Sequence, residues 1–478
     1  MSERHRKRDI TSIAAPRGPA ASRQNRPAGG TLRAALTTLG CRVNFSETDH
    51  LRARLAAAGY HLVDFQQQAD VYVVNTCTVT HVADRKSRRL LRRASRRNSD
   101  ALVVAVGCYA DVAPDALRQV EEVDLIVNRE EEAELEAHLA AALQARGVEP
   151  PVARGSAGAA DVQLFPAHPA RALIKVQDGC DNRCAYCIVC LARGPSRSRP
   201  ATEILNEVRA MEQAGYPEII LTGVNLGVYR DEATGDLVAL VRRILRETDI
   251  GRIRLSSIEP QDLAPGLLDL WPEPRLCRHL HLPVQSGCTL TLARMGRHYR
   301  WADFRALAEG FRARLPEAGL TTDVLVGFPG ETDADFAASK AAIASLPFSG
   351  LHIFPFSARP GTAAAAMPDA VHPTVIRQRC TEMHALAAEL GNTFRRRFLG
   401  QELDVLWDGR GAQGWTGLSD NYLRVVMADD ESFAESLLGR VTQTRIVGLD
   451  GDLLVGELAK FPFLVYNLRS VAVREKED

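Results

Sequence analysis

Short apolar runs alternate with amphipathic stretches along most of this chain, and that alternation restricts it to folds built on parallel sheets. Between residues 31 and 148, "TLRAALTT", "DVYVVNT", "ALVVAVG" and "VDLIV" read as buried strands. "SETDHLRARLAAAG", "VADRKSRRLLRRASRR" and "EEEAELEAHLAAALQARG" read as the helices of that series. A strand–helix series of this kind closes into a parallel sheet with crossover helices. A second series, from 170 to about 395, has the strand candidates "ALIKVQ", "EIILTG", "RIRLSSI", "HLHLPV", "TTDVLVGF" and "LHIFPF". Six such strands predict a partial barrel, with functional residues at the strands' C-terminal ends. The last ~80 residues change character: "ELDVLWDG", "YLRVVMA", "LLGRVTQTRIVG" and "LLVGELA" are short strands between Gly/Asp turns. They predict a small antiparallel barrel, so the fold class is α/β and multidomain.

A chain of 478 residues exceeds one ordinary core. Residues 1–30 carry seven Lys/Arg against two acids and no apolar periodicity, which reads as a disordered basic leader. Residues 149–168 are Pro/Gly/Ala-rich and read as a linker. The expected division is thus 1–30 leader, 31–148 first domain, 149–168 linker, 169–396 barrel, 397–468 small barrel and 469–478 tail. Net charge is zero, so any affinity for nucleic acid must come from local patches. No apolar run reaches the ~18 residues of a membrane span, and no apolar stretch follows the basic start, so a cytoplasmic protein is expected. Ten cysteines in such a chain are no disulfide scaffold; clustered ones read as metal ligands.

Cys180, Cys184 and Cys187 form a C-x3-C-x2-C set immediately after a strand candidate. Zinc usually takes four ligands in paired knuckles, and no partner pair follows. A single compact loop suits an iron–sulfur cluster better, with three thiolates leaving one iron open. Cys41, Cys77 and Cys108 each lie one to three residues past a predicted strand. In an open parallel sheet those ends share one edge, so the three can converge on a second site. Small apolar cysteines of a core would fall inside strands instead.

"CDNRCAYC" resembles the radical S-adenosylmethionine (SAM) signature, with Tyr186 before its third cysteine. Together with "TLGCRVNFSETD", "VVNTCTVT", "VAVGCYAD", "ARGPSRSRP", "IILTGVNLG", "HLPVQSGC", "VLVGFPGET" and "FPFSARPGT", it resembles the methylthiotransferase family over residues 31–468. The resemblance implies a flavodoxin-like first domain, a partial (β/α)6 radical SAM barrel and a C-terminal RNA-binding TRAM barrel. It implies two [4Fe-4S] clusters, one on Cys180, Cys184 and Cys187 and an auxiliary one on Cys41, Cys77 and Cys108. One SAM would methylate the sulfur and a second would give a 5′-deoxyadenosyl radical. That radical abstracts hydrogen from an unreactive C–H bond, and the carbon takes the methylthio group. An external one-electron donor and a sulfur source are implied partners. "TLGCRVNFSETD" looks most like the branch acting on N6-threonylcarbamoyladenosine at position 37, in the anticodon loop of ANN-decoding tRNA. The other branches act on isopentenyladenosine in tRNA or on a ribosomal-protein aspartate. A further rival is a non-enzymatic RNA-binding protein with structural metal.

Gly223, Asn225, Ser257, Gln285 and Asp323 lie at or near strand ends and are the candidate polar contacts for SAM. Strand capping or turn formation would use the same residues. "RKSRRLLRRASRR" (85–97) has eight Lys/Arg in thirteen residues, fitting either phosphate contact or a solvated helix. "RGPSRSR" (193–199) is expected to meet the substrate. Tyr186, Phe328 and Phe356 are candidates for stacking on a flipped base, or for packing the barrel. His279 and His281 read as barrel packing. Cys190 stands where relatives usually have proline. A fourth thiolate would cap the iron that SAM needs, so Cys190 is expected not to be a ligand.

Overall fold

The computed structural model describes residues 31–152, 168, 170–428 and 437–459. The expected leader, most of the linker, residues 460–468 and the tail lie outside these. The chain forms two compact units. The first takes in the described residues up to 152, with two short later segments, Cys187–Pro195 and Arg359–Gly361. The second holds His168–Tyr186, Ser196–Ala358 and the described residues from Thr362 onward.

The first unit runs β1 (Arg33–Thr38), α1 (Arg42–Ala57), β2 (His61–Val63), β3 (Val71–Thr76), α2 (His81–Arg97), β4 (Leu102–Gly107), α3 (Cys108–Val112), α4 (Pro114–Arg118), β5 (Leu125–Ile126) and α5 (Leu135–Ala145). Its sheet is parallel throughout in the order β2-β1-β3-β4-β5. Every residue of β3 and β4 is buried, because helices cover both faces. Val71 and Val73 pack with Leu51, Leu55, Leu139 and Leu143 on one side. Tyr72 and Val74 pack with Leu91 and Ala94 on the other. The very basic α2 can sit there because the face it buries is narrow and made of short side chains besides Leu91: Asp84, Ser87, Ala94 and Ser95. The sequence reading lacked only the short pieces, β2 and the α3–α4 turn.

The second unit opens with β6 (Arg171–Lys175) and the short ladder of β7 (Gln177–Asp178) with β8 (Arg197–Ser198). Between those two strands the chain forms α6 (Val189–Arg193), which belongs to the first unit. There follow α7 (Ala201–Gln213), β9 (Glu218–Thr222), the hairpin of β10 (Arg230–Asp231) and β11 (Gly235–Asp236), α8 (Leu237–Glu247), β12 (Arg252–Leu255) and α9 (Pro265–Leu268). The series ends with β13 (His279–His281), α10 (Thr289–Arg294), α11 (Trp301–Arg314), β14 (Gly319–Val326), α12 (Asp333–Ala344), β15 (Gly350–Pro355) and α13 (Pro373–Arg396). Two parallel three-stranded sheets, β12-β9-β6 and β13-β14-β15, are joined by bridges from Ile253 to Leu276 and Ser257 to His281. They make the expected six-stranded partial barrel.

The C-terminal strands β16 (Glu402–Gly411), β17 (Gly414–Ser419), β18 (Arg424–Met427), β19 (Val441–Asp450) and β20 (Leu453–Leu458) close into a barrel in the order β16-β17-β18-β20-β19. It is antiparallel except for β18 with β20. An odd number of strands cannot close without one parallel pair. This small barrel docks on the N-terminal ends of the parallel strands. Arg171 reaches Asp408 at 2.6 Å, and Arg254 donates to the carbonyls of Asp420 and Ser419. Glu218, fully buried, pairs with Arg252 and Arg254 at 2.9 Å each. The opposite, C-terminal ends of the strands are thereby left for the site. No helix among the described residues is long and apolar enough to cross a membrane.

Candidate iron–sulfur and S-adenosylmethionine sites

In the first unit, Cys41, Cys77 and Cys108 follow three adjacent strands, β1, β3 and β4, at the C-terminal sheet edge. Two glycines make the approach possible. Gly40 (φ +107°) lies so close that a Cβ there would stand 3.0 Å from Cys77 Sγ. A Cβ on Gly107 (φ +85°) would meet Asn75 Oδ1 at 2.1 Å. Asn44 gathers the thiols: its Oδ1 accepts from Cys41 Sγ at 3.5 Å and Cys108 Sγ at 3.9 Å. Its Nδ2 donates to the carbonyls of Leu39 and Thr76 and to Asn75 Oδ1. Ser87 fixes the third position, taking the Cys77 N–H and donating to the Cys77 carbonyl.

All three thiols are free, Cys41 exposed and the others buried. Burial pushes the Cys77 thiol up, and the Cys108 thiol up to about 12, with Arg193 pulling both back. Three soft donors held at one edge fit a metal cluster that binds them as thiolates.

Two arginines from far along the sequence complete this site. Arg193, in α6, donates to both carboxylate oxygens of Glu47 at 3.0 Å and to Asn44 Oδ1 at 2.6 Å. Arg359 donates to Thr78 Oγ1 at 2.7 Å and pairs with Asp84 at 2.8 Å, bracing the loop after Cys77. The stretch "RGPSRSR" is expected to meet substrate, but its Arg193 is 2% exposed and bonds Glu47 and Asn44. Basic residues beside a presumed RNA site read as phosphate contacts in one dimension, which is why sequence reasoning missed this role. Cys190 lies in α6, half-buried.

In the second unit, the signature loop leaves β7 through Gly179 (φ +73°) and turns at Arg183 (φ +45°). Ala185 pins it, donating to the Met295 carbonyl and accepting from Ala364 N–H. Arg297 Nη1 donates to Cys184 Sγ at 3.4 Å. That guanidinium is itself fixed by Glu259 Oε2 at 2.8 Å, the Pro283 carbonyl at 2.9 Å and Tyr299 Oη at 3.1 Å. Burial works against the Arg297 cation, but Tyr186 and Glu259 outweigh it and hold its pKa well above the usual value. Hydrogen bonds to a ligand sulfur tune a cluster's potential, so Arg297 is a further candidate residue of this site, one that carries no sequence motif. Cys187 opens the segment that packs in the first unit.

The candidate SAM contacts fall as follows. A Cβ on Gly223 would stand 2.9 Å from Gln177 Oε1, and Asn225 N–H donates to that same oxygen. The Asn225 side chain bonds Asp262 and the N–H groups of Gly227 and Glu259. Ser257 accepts from Leu226 N–H through its carbonyl. Gln285 adopts φ +67° and bridges β14 at Val324. Asp323 accepts from His281 Nε2 and His352 Nδ1, each at 3.3 Å. Burial would push the Asp323 carboxyl up, but the two imidazoles outweigh it and hold it well below the carboxylate range. These three residues bring ligand atoms within 4.8 Å of one another. Of the aromatic candidates, Phe328 is fully buried and packs edge-on against Phe356, with Tyr186 beside the same cluster.

Comparison with known proteins identifies the class first. Residues 33–128 match the uncharacterized protein family UPF0004, and residues 174–342 match the radical SAM superfamily. The chain is 34% identical over 428 residues to the threonylcarbamoyladenosine tRNA methylthiotransferase MtaB of Bacillus subtilis, covering 86% of this chain and 93% of that one. To MtaB of Thermotoga maritima it is 36% identical, covering 81% and 89%. To the tRNA-2-methylthio-N(6)-dimethylallyladenosine synthase of Syntrophotalea carbinolica it is 32% identical, covering 88% and 95%. Among solved structures, the radical SAM methyltransferase TsrM of Kitasatospora setae aligns with a TM-score of 0.49 at 15% identity, over 68% of this chain and 72% of that one. The chain belongs to the tRNA methylthiotransferase family of radical SAM enzymes. SAM and a [4Fe-4S] cluster are its cofactors.

Proposed function

We propose that this enzyme adds a methylthio group to C2 of N6-threonylcarbamoyladenosine at position 37 of tRNA, using two [4Fe-4S] clusters and two molecules of SAM. The observation that carries the two-cluster reading is the convergence of Cys41, Cys77 and Cys108 at one sheet edge, separate in sequence from the signature cysteines. The similarity to MtaB relatives supports the acceptor. When bound, SAM and the signature cluster supply a radical able to take hydrogen from an unreactive C–H bond. The chain's own residues hold the thiolates: Cys180, Cys184 and Cys187 for one cluster and Cys41, Cys77 and Cys108 for the other. Arg297 fixes the Cys184 sulfur, and Gly223, Asn225, Ser257, Gln285 and Asp323 are the polar groups offered to SAM. The enzyme acts in the cytoplasm on ANN-decoding tRNA and draws on an external electron donor and a sulfur source.

The test is turnover of the anaerobically reconstituted enzyme with four acceptors: unmodified, threonylcarbamoylated and isopentenylated tRNA, and the ribosomal protein. Methylthio incorporation is expected only into the threonylcarbamoylated tRNA. Product on isopentenylated tRNA or on protein alone overturns the assignment.

Helix α2 supplies a surface for the tRNA backbone. Arg85, Lys86, Arg89, Arg92, Arg93 and Arg96 are exposed along it, and Arg88 reaches Tyr109 beside Cys108. Each phosphate contact adds roughly 0.7–0.9 to the slope of log K against log salt. Replacing Arg89, Arg93 and Arg96 by glutamine is therefore expected to weaken tRNA binding and lower that slope by about 2–3. An unchanged slope in filter binding from 50 to 200 mM salt would show that α2 is only a solvated face.

A further inference from the structure

We propose that Arg193 is a positioning residue of the auxiliary site, setting the charge that its three thiolates and bound cluster feel. This rests on the two-cluster reading above. Three observations carry it. The guanidinium is buried, with its side chain 1% exposed, so water does not screen it. It donates to Asn44 Oδ1 at 2.6 Å, the same oxygen that lies within 3.9 Å of the Cys41 and Cys108 sulfurs. Its counter-charge, Glu47, is 6% exposed and faces it through two 3.0 Å bonds.

Arg129 stands 3.6 Å from Glu47 and 3.7 Å from Asp111, so Glu47 is shared between two arginines. Arg193 contacts the Asn44 amide that touches the thiols, and Arg129 contacts Glu47 and Asp111. Arg359, by contrast, bonds the side chains of Thr78 and Asp84. Arg193 lies six residues after Cys187 in the sequence. A cation beside a cluster stabilises its more negative, reduced form and raises its potential; an anion does the reverse.

The two signs give the test. The full-length chain carrying Cys180→Ala, Cys184→Ala and Cys187→Ala retains only the auxiliary site. After anaerobic reconstitution, its iron and sulfide content is measured, and its one-electron midpoint potential is followed by paramagnetic resonance during dithionite titration. Arg193→Gln is expected to shift the midpoint negative and Glu47→Gln to shift it positive. Arg193→Lys, which keeps the charge, is expected to stay near the parent. A merely structural role would lower iron content in both variants without shifts of opposite sign. Absent or same-sign shifts at normal iron content overturn the inference alone. If Arg193→Gln does not fold, Glu47→Gln and Arg193→Lys still decide it. A parent chain that binds no four-iron cluster overturns the two-cluster reading itself, and this inference with it.

Discussion

Replacing Cys184 with alanine is expected to abolish SAM cleavage, while Cys77→Ala leaves cleavage intact and removes only the methylthiolated product. In the two-cluster reading proposed above, the two thiols belong to different ligand sets. Cys184 sits in the loop pinned by Ala185 and receives a hydrogen bond from Arg297. Cys77 sits at the end of β3, its backbone clamped by Ser87. Losing one of three thiolates leaves an iron–sulfur cluster without a closed protein cradle, so each substitution removes about one cluster's worth of iron. Deoxyadenosine production measured by chromatography, together with iron content, checks this. Deoxyadenosine formation by Cys184→Ala at the wild-type rate would contradict the assignment, as would complete loss of cleavage in Cys77→Ala.

The second large effect is on stability. Glu218→Gln is expected to destabilise the second unit by roughly 3–5 kcal/mol near neutral pH, because Arg252 and Arg254 then keep buried charge without a counter-charge. Burial alone would push the Glu218 carboxyl up, but Arg254 and Arg252 outweigh it and hold it down at about 2. The folded value lies below the unfolded one, about 4.3. The carboxylate's contribution is therefore complete above that pH and is lost as pH falls toward the folded value. Denaturant unfolding of wild type and variant should accordingly differ most at neutral pH and converge between about pH 4 and pH 2. A difference below about 1 kcal/mol at pH 7 would mean that the small barrel does not depend on this ion cluster for its seat.

Most of the scaffold was legible because each strand buried on both faces writes an apolar run. β1, β3 and β4 are such runs, and so are β9 and β14. The cysteines were legible for a related reason: chain order places a residue just past a strand on the C-terminal edge, whatever the details of packing. Short or polar pieces were not. β2 and β17 carry little periodicity, and the parallel pairing of β18 with β20 follows from closing five strands rather than from their residues. The buried charges were the least legible. Arg193, Arg297 and Arg359 look like any loop arginine, because a salt bridge leaves no period in a sequence. Their partners lie 146 residues away for Arg193 with Glu47, and 281 for Arg359 with Thr78.

By itself, then, the sequence determined the parallel-sheet architecture, the two sets of three cysteines and their place at strand ends, since these follow from local pattern and chain order. Only the tertiary structure decided which charges stand beside the thiols and which end of the partial barrel the small barrel covers. Those depend on long-range electrostatic pairing, and desolvated pairs such as Glu47 with Arg193 or Glu218 with Arg254 exist only once the chain has folded around them.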